Sequence, residues 1–193
     1  FDRAREWFAL ALEKSDSGTS KGFERDAKWI HELAEWESSL LGKSKTVRFY
    51  TSCDDSYELF VDSVLVRKGS GWNRIDSFEI PLSKGKHLVT VMAKNQGSKA
   101  GFLLQISHRE GIELTDSSWK VSLEAPENWM KNTFNDAQWK DAEAVGRPGF
   151  GNWMNYQPRF TFLADFLMAS YIWSPDGVNE GQTVYFRKMI QIK

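Results

Sequence analysis

A chain of 193 residues with 41% hydrophobic and 26% charged residues and a formal net charge of −1 has the size and composition of one globular domain, with or without an appendage. The near-neutral charge argues against nucleic acid as a partner, which calls for a basic face. No apolar run is long enough to span a bilayer, and the single cysteine, Cys53, leaves no intrachain disulfide to staple the fold.

Residues 1–42 read as an N-terminal helical hairpin. Phe1, Ala4, Phe8, Ala11 and Leu12 recur at helical spacing. A loop follows at 15–20, rich in serine with one glycine. Over 23–41, Ala27, Ile30, Ala34 and Leu41 make one apolar stripe, and Trp29, Leu33, Trp36 and Leu40 make another. Together they form a face wider than a surface helix needs, and Gly42 supplies a stop. Such a face is expected to pack on the rest of the chain or on a protein partner. The chain opens at Phe1 with neither a methionine nor a signal-peptide pattern, and so reads as a fragment or a processed product.

Residues 43–193 read as a β-sandwich. Six short strands are expected at 46–51, 57–61, 64–67, 78–80, 88–93 and 102–106, separated by turn-forming residues. Asp62-Ser63 fits a two-residue hairpin turn. Short runs with turns this regular point to an antiparallel sandwich or barrel. If each connection reverses the chain, one rim gathers Asp54, Asp55, Trp72, Asn73, Asn95 and Gln96, and the opposite rim holds plain turn residues. Beyond this core, 114–123 is a strand candidate, 125–147 holds Trp129, Phe134 and Trp139 among polar residues, and 155–169 suits either a helix or a loop. Residues 183–192 alternate as a strand should, with Val184, Phe186 and Ile190 facing inward.

The stretches CDDSYELFVDS, GSGW and IPLSKGKHLVTVMAKNQGSKAGFLLQI resemble the galactose-binding-like β-sandwich. More narrowly, they are similar to the accessory sugar-binding domains attached to family 2 glycoside hydrolases and α-L-rhamnosidases. Ser63 stands where those domains usually have glycine, and His87 where asparagine is common. The resemblance extends through Phe134-Asn135-Asp136-Ala137-Gln138-Trp139 to the segment ending at Ile192. It implies a jelly-roll sandwich and burial of Trp139. In relatives a segment like Tyr171–Lys188 often opens the domain, whereas here it comes last: it either closes this sandwich or begins a second copy, and closure is favoured because a start without partner strands would expose apolar surface. It speaks to fold more than to ligand, because one fold carries many functions.

Catalytic motifs of the H-E-x-x-H, G-x-S-x-G and phosphate-loop types do not occur. Asp54-Asp55 is a carboxylate pair, but neighbours along a strand point to opposite faces, a poor arrangement for flanking a glycosidic bond. A structural calcium ion on Asp54, Asp55 and backbone carbonyls is chemically reasonable, and no other cofactor is expected. Sugar binding needs an aromatic plane and fixed polar groups. The rim of Asp54, Asp55, Trp72, Asn73, Asn95 and Gln96 offers both, although a tryptophan tucked into the core would look the same in sequence. The expected function is non-catalytic carbohydrate recognition, as an accessory module of a larger secreted or cell-surface protein. The alternative is a protein-interaction or assembly module that uses the sandwich and the helices.

Overall fold

The computed structural model describes residues 44–109, 111–148 and 168–193. The helical hairpin expected at 1–42 and most of the stretch 155–169 lie outside the described residues.

Among the described residues, twelve strands follow one another: β1 (Ser44–Asp54), β2 (Ser56–Val61), β3 (Val64–Ser70), β4 (Asp76–Ser83), β5 (Gly85–Lys94), β6 (Gly101–His108), β7 (Gly111–Leu114), β8 (Lys120–Ser122), β9 (Lys140–Asp141), β10 (Glu143–Gly146), β11 (Tyr171–Trp173) and β12 (Thr183–Ile192). They form two six-stranded antiparallel sheets. One has the order β10-β11-β6-β1-β4, with β7 also on β6; the other runs β3-β2-β5-β12-β8-β9. The sequence expectation of an antiparallel sandwich holds, and the last strand does close it: β12 lies between β5 and β8, pairing Thr183 with Lys94 and Ile192 with Gly85.

Alternation makes the core. Val47, Phe49 and Cys53 from β1 and Phe102, Leu104 and Ile106 from β6 meet Tyr57, Leu59 and Val61 from β2, Val89, Val91 and Ala93 from β5, and Val184, Phe186, Ile190 and Ile192 from β12. Period-two placement of these apolar residues puts them on the inner faces of both sheets. The Phe102 ring stacks on Phe186 at 5.9 Å, and Trp119 and Trp173 pack edge-on against this pair.

The β2–β3 hairpin turns at Asp62 and Ser63, with φ of 50° and 67°. Positive φ at both central residues is the type I′ geometry that matches strand twist. Asp62 compensates for not being asparagine or glycine by binding the neighbouring strand. Its Oδ1 accepts from Leu88 N at 2.9 Å, and its Oδ2 lies 2.6 Å from His87 Nδ1.

The segment 124–139 lies over the outer face of the β12 sheet. Trp129 stacks on Trp139 at 6.2 Å and meets the edges of Phe60 and Tyr185. Trp139 is buried, as expected from its sequence context. Arg187, on the outward side of β12 and 3% exposed, reaches into this layer. Its Nε donates to Asp136 Oδ2 at 2.9 Å, Nη1 donates to Trp129 O, and the guanidinium sits 5.0 Å over the Phe134 ring.

Candidate functional site

The two sheets are connected so that one rim collects four loops in a row. β3 and β4 are the edge strands of their sheets, joined by 71–75. β2 and β1 come next, joined at Asp55. Then come β5 and β6, joined by 95–100, and β12 and β11, joined by 174–182. Each loop therefore bridges strands at equivalent positions of the two sheets. The register agrees: Asp54 pairs with Gly101, Ser56 with Ser70 and Lys94, and Thr183 with Lys94.

Hydrogen bonds stitch the row from end to end. Gly71 N donates to Asp55 O at 2.7 Å, and Asp55 N donates to Lys94 O at 2.8 Å. The Asp55 carboxylate accepts from Gln96 N at 2.5 Å. Asn95 Nδ2 donates to Gly97 O at 2.7 Å and to Asn179 O at 2.9 Å, its Oδ1 accepts from Gly97 N, and its own N–H donates to Gln182 O at 2.9 Å. Gln182 Oε1 in turn accepts from Trp173 Nε1 at 2.7 Å. The Asp54-Asp55 peptide bond within this row is cis.

All six residues expected at this rim are there, but they divide by exposure. Trp72 is 41% exposed, and Asn73 and Gln96 are exposed as well. Asp55 is half-buried, with one carboxylate oxygen held by the Gln96 amide. Asp54 and Asn95 are buried. The donors of the Asn95 amide are committed to Gly97 O and Asn179 O, so Asn95 fixes the loops rather than facing solvent.

The Trp72 loop has its own support. Ser52 Oγ donates to Trp72 O at 3.4 Å. Tyr57 Oη donates to Asp76 Oδ2 at 2.8 Å, and Asp76 lies 3.5 Å from Arg67 and 3.6 Å from Arg74. Gly69 permits this: a Cβ there would fall 2.4 Å from both the Asp76 carboxylate and the Tyr57 ring. Burial, with the Asp76 bond behind it, pushes the Tyr57 hydroxyl well above the ordinary tyrosine range. Burial also pushes the Cys53 thiol well up, so the lone cysteine is an inert core residue.

The loop 174–182 was not foreseen in the site. It carries exposed Val178, and its Asp176 is hydrogen-bonded by Lys140, which holds the carboxyl below its ordinary value. Among the described residues, no three His, Cys, Asp or Glu side chains converge as a metal-ligand set. A cation at Asp54-Asp55 would thus depend on backbone carbonyls for most of its ligands.

No protein-family model matches this sequence. No curated protein matches it either. Two solved structures resemble it. One is a lectin from Pleurotus ostreatus in complex with GalNAc, with a TM-score of 0.53 and 25% identity over 57% of this chain. The other is the apo form of the Pleurotus ostreatus lectin, with a TM-score of 0.52 and 25% identity over 57% of this chain. The match spans 35% of the lectin chain in each case, about a third of its length.

Proposed function

We propose that this chain is a non-catalytic carbohydrate-binding module whose ligand sits on the four-loop rim at the Asp54 end of the sandwich. The observation that carries the reading is the likeness to a lectin solved with GalNAc, combined with a rim that displays a half-exposed tryptophan among fixed polar groups. Trp72 offers a flat apolar face for the C–H side of a sugar ring. Asn73 and Gln96 offer exposed amides, and Asp55 keeps an oxygen for a hydroxyl pair, directly or through calcium. Asn95 holds the loops in place from beneath, and Asp54 is buried beside it in the rim. The same reading extends to an accessory role in a larger secreted or cell-surface protein, similar in layout to the accessory domains of glycoside hydrolases.

The test is a glycan array on the whole chain, with and without calcium, followed by titration of N-acetylgalactosamine into wild type and Trp72→Ala. Loss of a stacking partner and its apolar contact should weaken binding by roughly tenfold or more, with the variant still folding cooperatively in a melting curve, because Trp72 is not one of the core residues. A blank array in both conditions would refute sugar binding and favour a protein-interaction module. Binding that survives Trp72→Ala would move the site off this rim.

A further inference from the structure

We infer that the rim takes an oligosaccharide rather than a single terminal sugar, and that the loop 174–182 forms its second subsite; this rests on the carbohydrate reading above. The sandwich's connectivity provides the support. The Trp72 loop ends the row at β3/β4, and the 174–182 loop ends it at β12/β11, with two crossovers between them. Three strand spacings of about 4.8 Å each place the two end loops roughly 14 Å apart, longer than one pyranose ring.

Both ends of this row display an exposed apolar side chain. Trp72 is 41% exposed and Val178 is 37% exposed, while Ile75 in the Trp72 loop is half-buried and Tyr57, Ala93, Phe102, Trp173 and Val184 at the adjoining strand ends are buried. Between them lie the exposed Gln96 and the half-buried Asp55 carboxylate. An apolar contact, a polar stretch and a second apolar contact match successive rings of a sugar chain, each with a C–H face and a hydroxyl edge.

The far loop is also positioned to serve as a subsite. Asn95 ties the 95–100 loop to Asn179 O and Gln182 O, and Gln182 is locked in turn by Trp173 Nε1. A preformed wall costs less ordering entropy when a ligand binds than a loose loop does. Asn95 is thus a positioning residue that couples the two halves of the site.

The experiment compares N-acetylgalactosamine and galactose with trisaccharides carrying each at the non-reducing end, by calorimetric titration of the whole chain. The trisaccharides should bind about tenfold tighter than the matching monosaccharides, the gain expected for one more apolar contact of modest area. Val178→Ser should remove most of that gain and leave monosaccharide affinity unchanged. Trp72→Ala should weaken both classes together. Equal affinity for the two lengths, or a length preference that Val178→Ser does not touch, would overturn the second subsite while leaving single-sugar recognition standing. No binding by any probe, with a blank array, would refute the sugar reading and the second subsite with it.

Discussion

Removing the guanidinium of Arg187 should release the 124–139 layer from the sandwich. Arg187 is 3% exposed, yet it carries a charge and faces Asp136, Trp129 O and the Phe134 ring at once. Arg187→Met keeps most of the stem volume and removes every one of these partners. Breaking a buried ion pair from one side costs about 3–5 kcal/mol. The lower end applies here, because the Asp136 side chain is 35% exposed and can recover water. What cannot recover water is the carbonyl of Trp129, whose bond from Arg187 is buried. A loss of about 3 kcal/mol corresponds to a drop in Tm of roughly 6–12 °C for a chain of this size. Asp136→Asn keeps an acceptor and all the carbonyl contacts but leaves the buried guanidinium without its counter-charge, so it should cost about 2–3 kcal/mol. Thermal melts followed by near-UV circular dichroism, which reports the tryptophan layer, would measure both. If Arg187→Met melts within a degree or two of wild type, the guanidinium does not anchor this layer.

Ser63 holds φ at 67° and donates from Oγ to Met130 O at 2.6 Å. Ser63→Gly and Ser63→Ala both lose that bond, but only glycine relieves the left-handed backbone, a difference of about 1 kcal/mol. Urea midpoints should therefore rank Ser63→Gly above Ser63→Ala, and the reverse order would mean that the turn relaxes to another geometry. Tyr171 is pushed by burial from 10.0 up to about 12, and Tyr57 goes higher, by burial and then its bond to Asp76. Both values are raised in the fold, so their contribution is intact below the unfolded value and is lost as pH climbs from 10.0 toward 12. Two of the five tyrosines should thus ionise only as the near-UV signal collapses; a titration in which all five ionise in the folded protein would contradict their burial.

Local signals in the sequence were good guides where one residue's environment is set by its near neighbours. Asp62-Ser63 between two alternating runs announced the hairpin, and β2 and β3 form on either side of it. The inward set Val184, Phe186 and Ile190 followed from period two, and all three are in the core. Strand ends were harder to read. β4 runs from Asp76 to Ser83, far beyond 78–80, because edge pairing to β1 recruits polar residues that alternation alone does not mark. The rim was legible as a place but not as a set of roles. Trp72 and Asn95 are both large-to-medium polar-capable residues in loops, yet one is exposed and the other is spent on Asn179 O. That difference depends on a carbonyl 84 residues away. The 174–182 loop carries no local mark of its place for the same reason: β11 and β12 reach the rim only through pairing with β6 and β5, distant in sequence.

The place of β12 has a consequence for how the protein is made. This strand is not an edge addition; it lies in the interior of its sheet, bonded to β5 on one side and β8 on the other. Until residues 183–192 have left the ribosome, β5 presents an open hydrogen-bonding edge, and Val89, Val91 and Ala93 lack the neighbours that Val184 and Phe186 will supply. The nascent chain must hold its first six strands in that incomplete state while everything up to β11 is synthesised. Pairings between strands this distant in sequence also form slowly. Chaperone engagement during synthesis, and inclusion-body formation when expression outpaces it, are therefore the hazards to expect of this fold. A stop codon before β12 would turn the transient exposure into a permanent one.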